Sequence, residues 1–460
     1  MKLRSVIGNT LWALACQPAQ RRLARALQEP AKAQQRVLKR LLKRHAASVF
    51  GREYGFANLL QVSDFQAHVP IHDYESLFHY IERAMAGEPD VLACGSIRAF
   101  ERTSGSISAA KYIPCTADSM AEFHEAVSAW MGDLFCRYPS LLAGPSWWII
   151  SALQPASTTS GGIRIGLDSD LDYLSTWERA LARWVFVQTP ALRDLKTSLA
   201  EVAAALKNEP DLRLISVWNP SLLLLLREHI GRTWPKLSVI SCWADAWAAE
   251  DAEKLRTLYP GVVLQPKGLL ATEGVITLPW ADSAVPALNS HFLEFLDAHG
   301  RAHLVHELSL GEEYEVLLST SAGLWRYRLG DKVRVTGQVN QTPTLQFIGR
   351  ADGGCDLRGE KLHPDFVAES LKPWQPSFAM LAPLASRDGY ALYTEADITS
   401  DQIEARLSLN PHYAHCRRLG QLQPVKVTPM TKTEYFDRCL QLGLTVSTVK
   451  MSSLTPRSLS

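Results

Sequence analysis

The hydrophobic positions of this chain follow two periods. Residues 119–136 place Phe123, Val127, Trp130, Met131, Leu134 and Phe135 at helical spacing, and Pro139 stops that helix before an apolar, strand-like run over 147–153. The same order recurs downstream. A strand over 212–218 is followed by a helix from Ser221, a strand over 237–241, a helix over 248–259 and a strand over 262–265. Strands alternating with helices predict a layered α/β domain with crossover connections. After Gly274 the pattern shortens to strands over 275–278, 314–320, 325–328, 332–335 and 345–348, with a turn at Ser321-Ala322-Gly323, and so predicts hairpins. From about Asp352 a Gly-rich segment opens a tail with a helix from Pro364, a strand over 390–393 and a helix behind the capping box Thr399-x-x-Gln402. The fold class predicted is α/β. A large layered N-terminal domain with a β-rich subdomain, residues 1–349, precedes a small, mobile α+β domain, residues 350–460.

Composition narrows the class of protein without naming it. The 460 residues are 47% hydrophobic and 21% charged, an ordinary globular balance. The longest apolar runs, 147–153 and 222–226, fall far short of the about 18 residues of a membrane helix, so no bilayer span is expected. Eight cysteines are scattered without a Cys-x-x-Cys pair, which suits reduced thiols and a cytoplasmic location. The pairs His303 with His306 and His412 with His415 lack the neighbours of a ligand set and read as core or surface histidines. Net charge is +1, yet residues 1–52 hold 12 Lys and Arg against the single acid Glu29. Such a start suits a transit peptide or a surface for anionic partners; the simpler reading is a solvated helical face. No apolar stretch follows Arg21-Arg22, so a secretory signal is not expected, and nothing in the balance of charge calls for nucleic acid.

Four segments carry chemistry. The first is TSGSISAAK, residues 103–111, where four hydroxyls, a Gly and Lys111 fall within nine residues. Consecutive backbone N–H groups in such a turn form an anion-binding concavity, to which the hydroxyls add donors and Lys111 a charge. The spacing is not that of a Walker A loop. The second is GLLATEG, residues 268–274, at the end of a predicted strand, where open sheets bind ligands. Glu273 there is a hard oxygen donor suited to Mg²⁺ on nucleotide phosphates, and small neighbours such as Ala271 let an adenine approach the backbone. The third, LWRYRLGDKV at 324–333, presents Asp331 behind a Gly as a carboxylate for two vicinal hydroxyls, with Arg326 and Arg328 as counter-charge. The fourth, FIGRADGGCDLRGEKL at 347–362, sets Arg350 for ribose or phosphate and Asp352 at a Gly-rich hinge. Taken singly, each also reads as a polar loop, a capping Thr272, a turn-capping Asp331 or a solvated Arg350.

In this order the segments resemble the adenylate-forming superfamily, and within it the Gretchen Hagen family of acyl-acid amido synthetases. LLKRHAASVFGREYGF, VPIHDYE, IERAMAGEP and SCWADAW are similar to that family's framework, and the resemblance covers about residues 35–450. It implies a ligase that uses ATP and Mg²⁺ to activate a carboxylic acid as an acyl adenylate, then couples it to an amine, usually an amino acid. Thr103, Ser104, Gly105, Ser106 and Lys111 match its phosphate loop, Ala271, Thr272 and Glu273 its adenine and metal segment, Asp331 its ribose carboxylate and Arg350 its domain-junction residue. A lysine on the mobile C-terminal domain completes the set; Lys450 matches best and Lys426 competes. The chain departs from the pattern at Ile107, Ser108 and Ala109, where Thr and Gly are common. It departs again around Lys450, which has Thr448 two residues before it and Met451-Ser452-Ser453 after it. The departures leave open a thioester synthetase that uses coenzyme A or a carrier thiol, or a degenerate nucleotide-binding protein. Trp147, Trp148, Trp177, Trp184, Trp218 and Trp243 are candidates for an aromatic acid pocket, against the alternative of plain core packing.

Overall fold

The computed structural model describes residues 3–102, 111–148, 157–166, 176–190, 195–218, 220–231, 234–350, 354–431, 434, 435, 438, 453 and 454. Apart from Lys111, which groups with the second, the described residues fall into two compact units that divide at Ile348/Gly349.

The first unit opens with two helices, Leu3–Ala26 and Pro30–His45, the second started by a proline whose missing N–H costs nothing at that position. The predicted helix is Ala117–Arg137, two residues earlier at its start, because Thr116 caps it: its hydroxyl accepts from the Ser119 N–H at 3.1 Å and the Ser119 hydroxyl accepts from the Thr116 N–H at 2.9 Å. The basic opening of the sequence finds its partners here. Arg22 grips Glu125 at 2.8 and 2.6 Å, Arg40 lies 3.4 Å from Glu122, and Arg44 meets Asp118 at 2.7 Å. Part of that charge is thus paired with the acidic positions of one helix, while the three arginine side chains stay more than half exposed, which agrees with the reading of a solvated helical face.

Behind this helix lies a parallel sheet of Ser146–Trp148, Leu214–Ser216, Val239–Cys242 and Val263–Pro266, adjacent in that order. The intervening helices include Pro220–Ile230 and Ala249–Leu258, as the alternating pattern requires. Because side chains alternate across a strand, the register sorts them into rows. Trp147, Ile215, Ile240 and Leu264 share one face and pack with Leu206, Leu223, Leu226 and Leu255. Trp148, Ser216, Ser241 and Gln265 share the other, at the carboxyl end.

The rest of the first unit is antiparallel. Strands Ala302–Leu304, Phe292–Leu296, Glu313–Ser319, Tyr327–Val339 and Thr342–Arg350 lie side by side in that order. Two sequence readings need correction. The strand expected over 275–278 is two short strands, Gly274–Val275 and Thr277–Trp280, in different two-stranded sheets. The chain turns between them because the N–H groups of Ile276 and Thr277 both donate to the Leu269 carbonyl. The two strands expected over 325–328 and 332–335 are one 13-residue strand interrupted by a bulge. The predicted turn before it is present: Gly323 has φ +93°, and a Cβ there would stand 2.4 Å from Leu92.

The second unit pairs Ala379–Pro383 with Tyr390–Thr394 antiparallel and adds Lys426–Pro429 in parallel. Helices Pro364–Leu371, Ser400–Leu407 and Pro411–Arg418 supply Phe366, Val367, Ile403 and Tyr413 to its core. Glu360 holds its entry loop: the carboxylate accepts from the N–H groups of Leu357 and Arg358, each at 2.7 Å, and from the Tyr390 hydroxyl. Complete burial raises its pKa to about 7.

Candidate functional site

Of the phosphate-loop residues, Thr103, Ser104, Gly105 and Ser106 lie outside the described residues, as does Lys450. The flanking strands, Ile97–Arg102 and Tyr112–Thr116, pair antiparallel with Arg102 opposite Tyr112, so that segment is the connection of a hairpin. Half-buried Lys111 stands at the start of its second strand. That strand runs directly into Thr116, the cap of the 117–137 helix.

Around this cap is a buried polar cluster that sequence reasoning missed. Glu122, 5% exposed, accepts from the Ser321 hydroxyl at 2.6 Å and the Ser321 N–H at 3.0 Å, and its carboxylate lies 3.2 Å from His291 Nδ1. Thr116 donates to the Ser321 carbonyl at 3.2 Å. The helix after the phosphate loop is thereby tied to the turn that precedes LWRYRLGD. The only sequence signal was an acid on the apolar side of an amphipathic helix.

Thr272 and Glu273 form the two-residue turn between Leu270–Ala271 and Gly274–Val275, with Ala271 paired to Gly274. Glu273 is half-buried and Thr272 exposed. The hairpin needs glycine behind the turn, because a Cβ on Gly274 would stand 2.8 Å from His291 Nε2 and 2.9 Å from Leu318 Cδ1. Leu318 belongs to strand Glu313–Ser319. Two residues along, Val316 alone faces Leu329, Gly330 and Asp331, because Glu315 pairs with Lys332 and Leu317 with Arg328. The bulge adds two residues to one strand, and bulges of this kind re-aim side chains. Asp331 is 7% exposed and shares its face with Leu329 and Val333, the one acid in that row. The segment of Glu273 and the segment of Asp331 therefore lean on one strand, two positions apart.

The counter-charge expected from Arg326 and Arg328 is committed elsewhere. Arg326 is buried, binds Glu294 at 3.0 and 2.9 Å and donates to the carbonyls of Gln66 and Val69. Arg328 binds Glu315 at 2.7 Å through both nitrogens. Both arginines hold the framework. Arg350 ends the last strand, and Lys426 is exposed at the start of the second unit's edge strand.

The tryptophan candidates separate. Trp147 faces the apolar core, and Trp177 and Trp184 are exposed. Trp148, Trp218 and Trp243 extend the opposite face of the parallel sheet, with the last two rings 5.6 Å apart. Trp130, which helical spacing marked as core, joins them: its ring centre lies 5.7 Å from that of Trp148 and its N–H donates to Gln265 at 2.8 Å.

Residues 19–237 match the GH3 family N-terminal domain and residues 284–350 the GH3 family central domain, together more than half of the chain. The chain belongs to the GH3 family. The GH3 framework, in the same order, is the one that the Gretchen Hagen resemblance implied. A human GH3 domain-containing protein is 29% identical over 223 residues, a stretch that spans 46% of this chain and 40% of that one. An indole-3-acetic acid-amido synthetase of Arabidopsis thaliana, GH3.15, is 22% identical over 424 residues, spanning 74% of this chain and 71% of that one. Among solved structures, the AtGH3.15 acyl acid amido synthetase in complex with 2,4-DB covers 96% of this chain and 94% of its own, with a TM-score of 0.66 at 17% identity. A 2-hydroxyisobutyryl-CoA ligase with 2-HIB-AMP and CoA covers 92% and 89%, with a TM-score of 0.56 at 13% identity. At these identities the structural likeness is one of fold alone: the chain shares the fold of these two enzymes.

Proposed function

We propose that this GH3 protein is an ATP-dependent ligase that joins a carboxylic acid to an amine, an amino acid being the acceptor that fits its relatives' names. A carboxylate resists amines because its oxygen is a poor leaving group. In the first step that oxygen attacks the α-phosphorus of ATP and pyrophosphate departs. In the second the amine nitrogen attacks the acyl carbon and AMP leaves with the bonding pair. Charge accumulates on the phosphate in the first step, and fixed donors and cations are what lower such a barrier.

The observation that supports the reading is the shared strand: Gly274, next to Glu273 at the hairpin tip, lies against Leu318 of Glu313–Ser319, and the bulge that carries Asp331 pairs with the same strand. In this assignment Asp331 accepts from ribose hydroxyls and Thr272 and Ala271 border the adenine. Ser104 to Ser106, Thr103 and Lys111 bind phosphate, and Arg350 serves ribose or phosphate. Glu273, a single hard oxygen donor at an accessible turn, fits a Mg²⁺ ion that keeps its other sites for phosphate oxygens, where it would neutralise charge. The second unit supplies one lysine, Lys450 or Lys426, to the adenylation step. The seven described cysteines are free thiols, in keeping with a reducing, cytoplasmic setting.

The test is a panel of acids assayed for pyrophosphate release with and without amino acids, with product masses measured. Acid-dependent release and an amide product support the reading. A coenzyme A thioester as the sole product, or nucleotide binding without acid-dependent turnover, refutes it.

A further inference from the structure

The carboxyl end of the parallel sheet carries a second constellation. Past the strands the Lys267 N–H donates to the Cys242 carbonyl in register, so Trp243 and Lys267 continue the row of Ser241 and Gln265. The Trp243 N–H donates to the Trp218 carbonyl, one residue beyond the register of Ser216 with Ser241, and the Trp218 ring centre still lies 4.9 Å from Lys267 Nζ. Lys267 is 2% exposed, and its Nζ lies 4.8, 5.4 and 4.9 Å from the ring centres of Trp130, Trp148 and Trp218. Its hydrogen bond runs to the Ser216 hydroxyl at 2.6 Å. Among the described residues no carboxylate pairs with it, although a buried amine has three donors to place. Ser241, fully buried in the adjacent strand, has a hydroxyl with no partner among the described residues, and the Trp148 indole nitrogen likewise has none among them.

Such a face is unusual for a sheet covered by a helix, where apolar rows are the rule. Here Leu214 and Val239 keep the rule at the amino end and the carboxyl end breaks it, where open α/β sheets take their ligands. Gly268, at φ +78° with its Cβ position 2.8 Å from Thr277, then turns the chain directly into the hairpin of Glu273. The constellation is thus joined by a few residues to the proposed nucleotide segment.

We propose that Lys267, Ser241 and the indoles of Trp130, Trp148 and Trp218 form the specificity end of the acid site, and that the acid is aromatic and carries a second anionic oxygen, a carboxylate or phenolate. Its ring lies against indole, and the second oxygen accepts from Lys267 Nζ and from the Ser241 hydroxyl. The counter-charge that the protein does not provide comes from the substrate. Burial lowers the Lys267 pKa to about 7, because the interior disfavours its charged form, and an anion bound beside Nζ would raise it again. The proposal rests on the ligase reading for its chemistry but not for its binding test.

Benzoate is to be compared with its hydroxy and carboxy derivatives in two assays: calorimetric binding without ATP, and kcat/KM for pyrophosphate release. In the wild type the best derivative should exceed benzoate by about 30-fold, the scale of one charge-assisted hydrogen bond. Lys267→Met should reduce that ratio to near one. Equal use of benzoate and all derivatives by the wild type, or a ratio unchanged in Lys267→Met, overturns the proposal. Binding with a Lys267-dependent ratio but no pyrophosphate release preserves it and removes the ligase reading. Release with a Lys267-independent ratio does the reverse, and neither binding nor release removes both. If Lys267→Met does not fold by circular dichroism, Ser241→Ala decides, since it deletes a hydroxyl that no described protein group uses: the ratio should fall about 5-fold, and an unchanged ratio overturns the proposal.

Discussion

Arg326 and Lys267 are both buried cations of the first unit, and their surroundings treat them oppositely. The guanidinium of Arg326 makes four hydrogen bonds, two to Glu294 and two to main-chain carbonyls. Lys267 has one hydroxyl and three indole faces. A buried charge whose donors are consumed by the protein has nothing left for a ligand, so it belongs to the framework. A buried charge with donors to spare is a cost to the fold unless something from outside completes it. The sequence motif around Asp331 favoured the first cation as a functional group, whereas the geometry favours the second.

The sharpest way to break the contrast is to remove the saturated cation. Arg326→Leu strands Glu294 without its partner in the interior and should lower unfolding free energy by about 3–5 kcal/mol in urea titrations. The double change with Glu294→Leu should recover much of the loss. A loss under about 1 kcal/mol for the single change would show that the pair is not framework. Next in size, Glu273→Ala and Lys111→Ala should each depress acid-dependent pyrophosphate exchange by about 100-fold, near 2.7 kcal/mol on the barrier, at an unchanged urea midpoint. Exchange at the wild-type rate removes those assignments.

Third is a pH effect. Lys267 has a folded pKa of about 7 against an ordinary value of 10.5. Between those values the unfolded chain binds a proton that the native one does not, so stability rises with pH across the window and is flat below it. From pH 7.5 to 9 the wild type should gain about 2 kcal/mol relative to Lys267→Met, read as the difference between their urea midpoints. A constant difference contradicts the low pKa. The smallest effect is that of the helix cap: Thr116→Ala should cost about 1 kcal/mol, since the 117–137 helix loses the hydroxyl that accepts from the Ser119 N–H. No measurable change would contradict that cap.

Much of the fold was legible because periodicity is local. The helix from Ala117 to Arg137 and the order of strands after it follow from the spacing of Phe123, Val127 and Trp130 and from the short apolar runs. The site was legible only as segments. Nothing in the spacing says that Trp148, Ser216, Ser241 and Gln265 stand in one row, because that depends on the register of four strands far apart in sequence. Trp130 is buried as its helical spacing predicts, but spacing does not show that Lys267 lies against its ring. Arg326 was misread, as its partner Glu294 lies 32 residues upstream in another strand. The split of 275–278 was hidden because the Leu269 carbonyl that turns the chain belongs to the backbone.

The bulge before Asp331 has a consequence for how this protein can vary. Its two additional residues are an even number, so the in-out alternation from Tyr327 to Val335 survives the interruption. Loss of a single codon there would rotate Lys332 and Arg334 into the interior and Val333 and Val335 into water, whereas replacement of one side chain by another leaves the alternation alone. Descendants of this gene are therefore expected to resist any change of length along 328–332 and to tolerate substitutions there only at positions without a task of their own, which excludes Asp331, Arg328 and Gly330, the last at φ +82°.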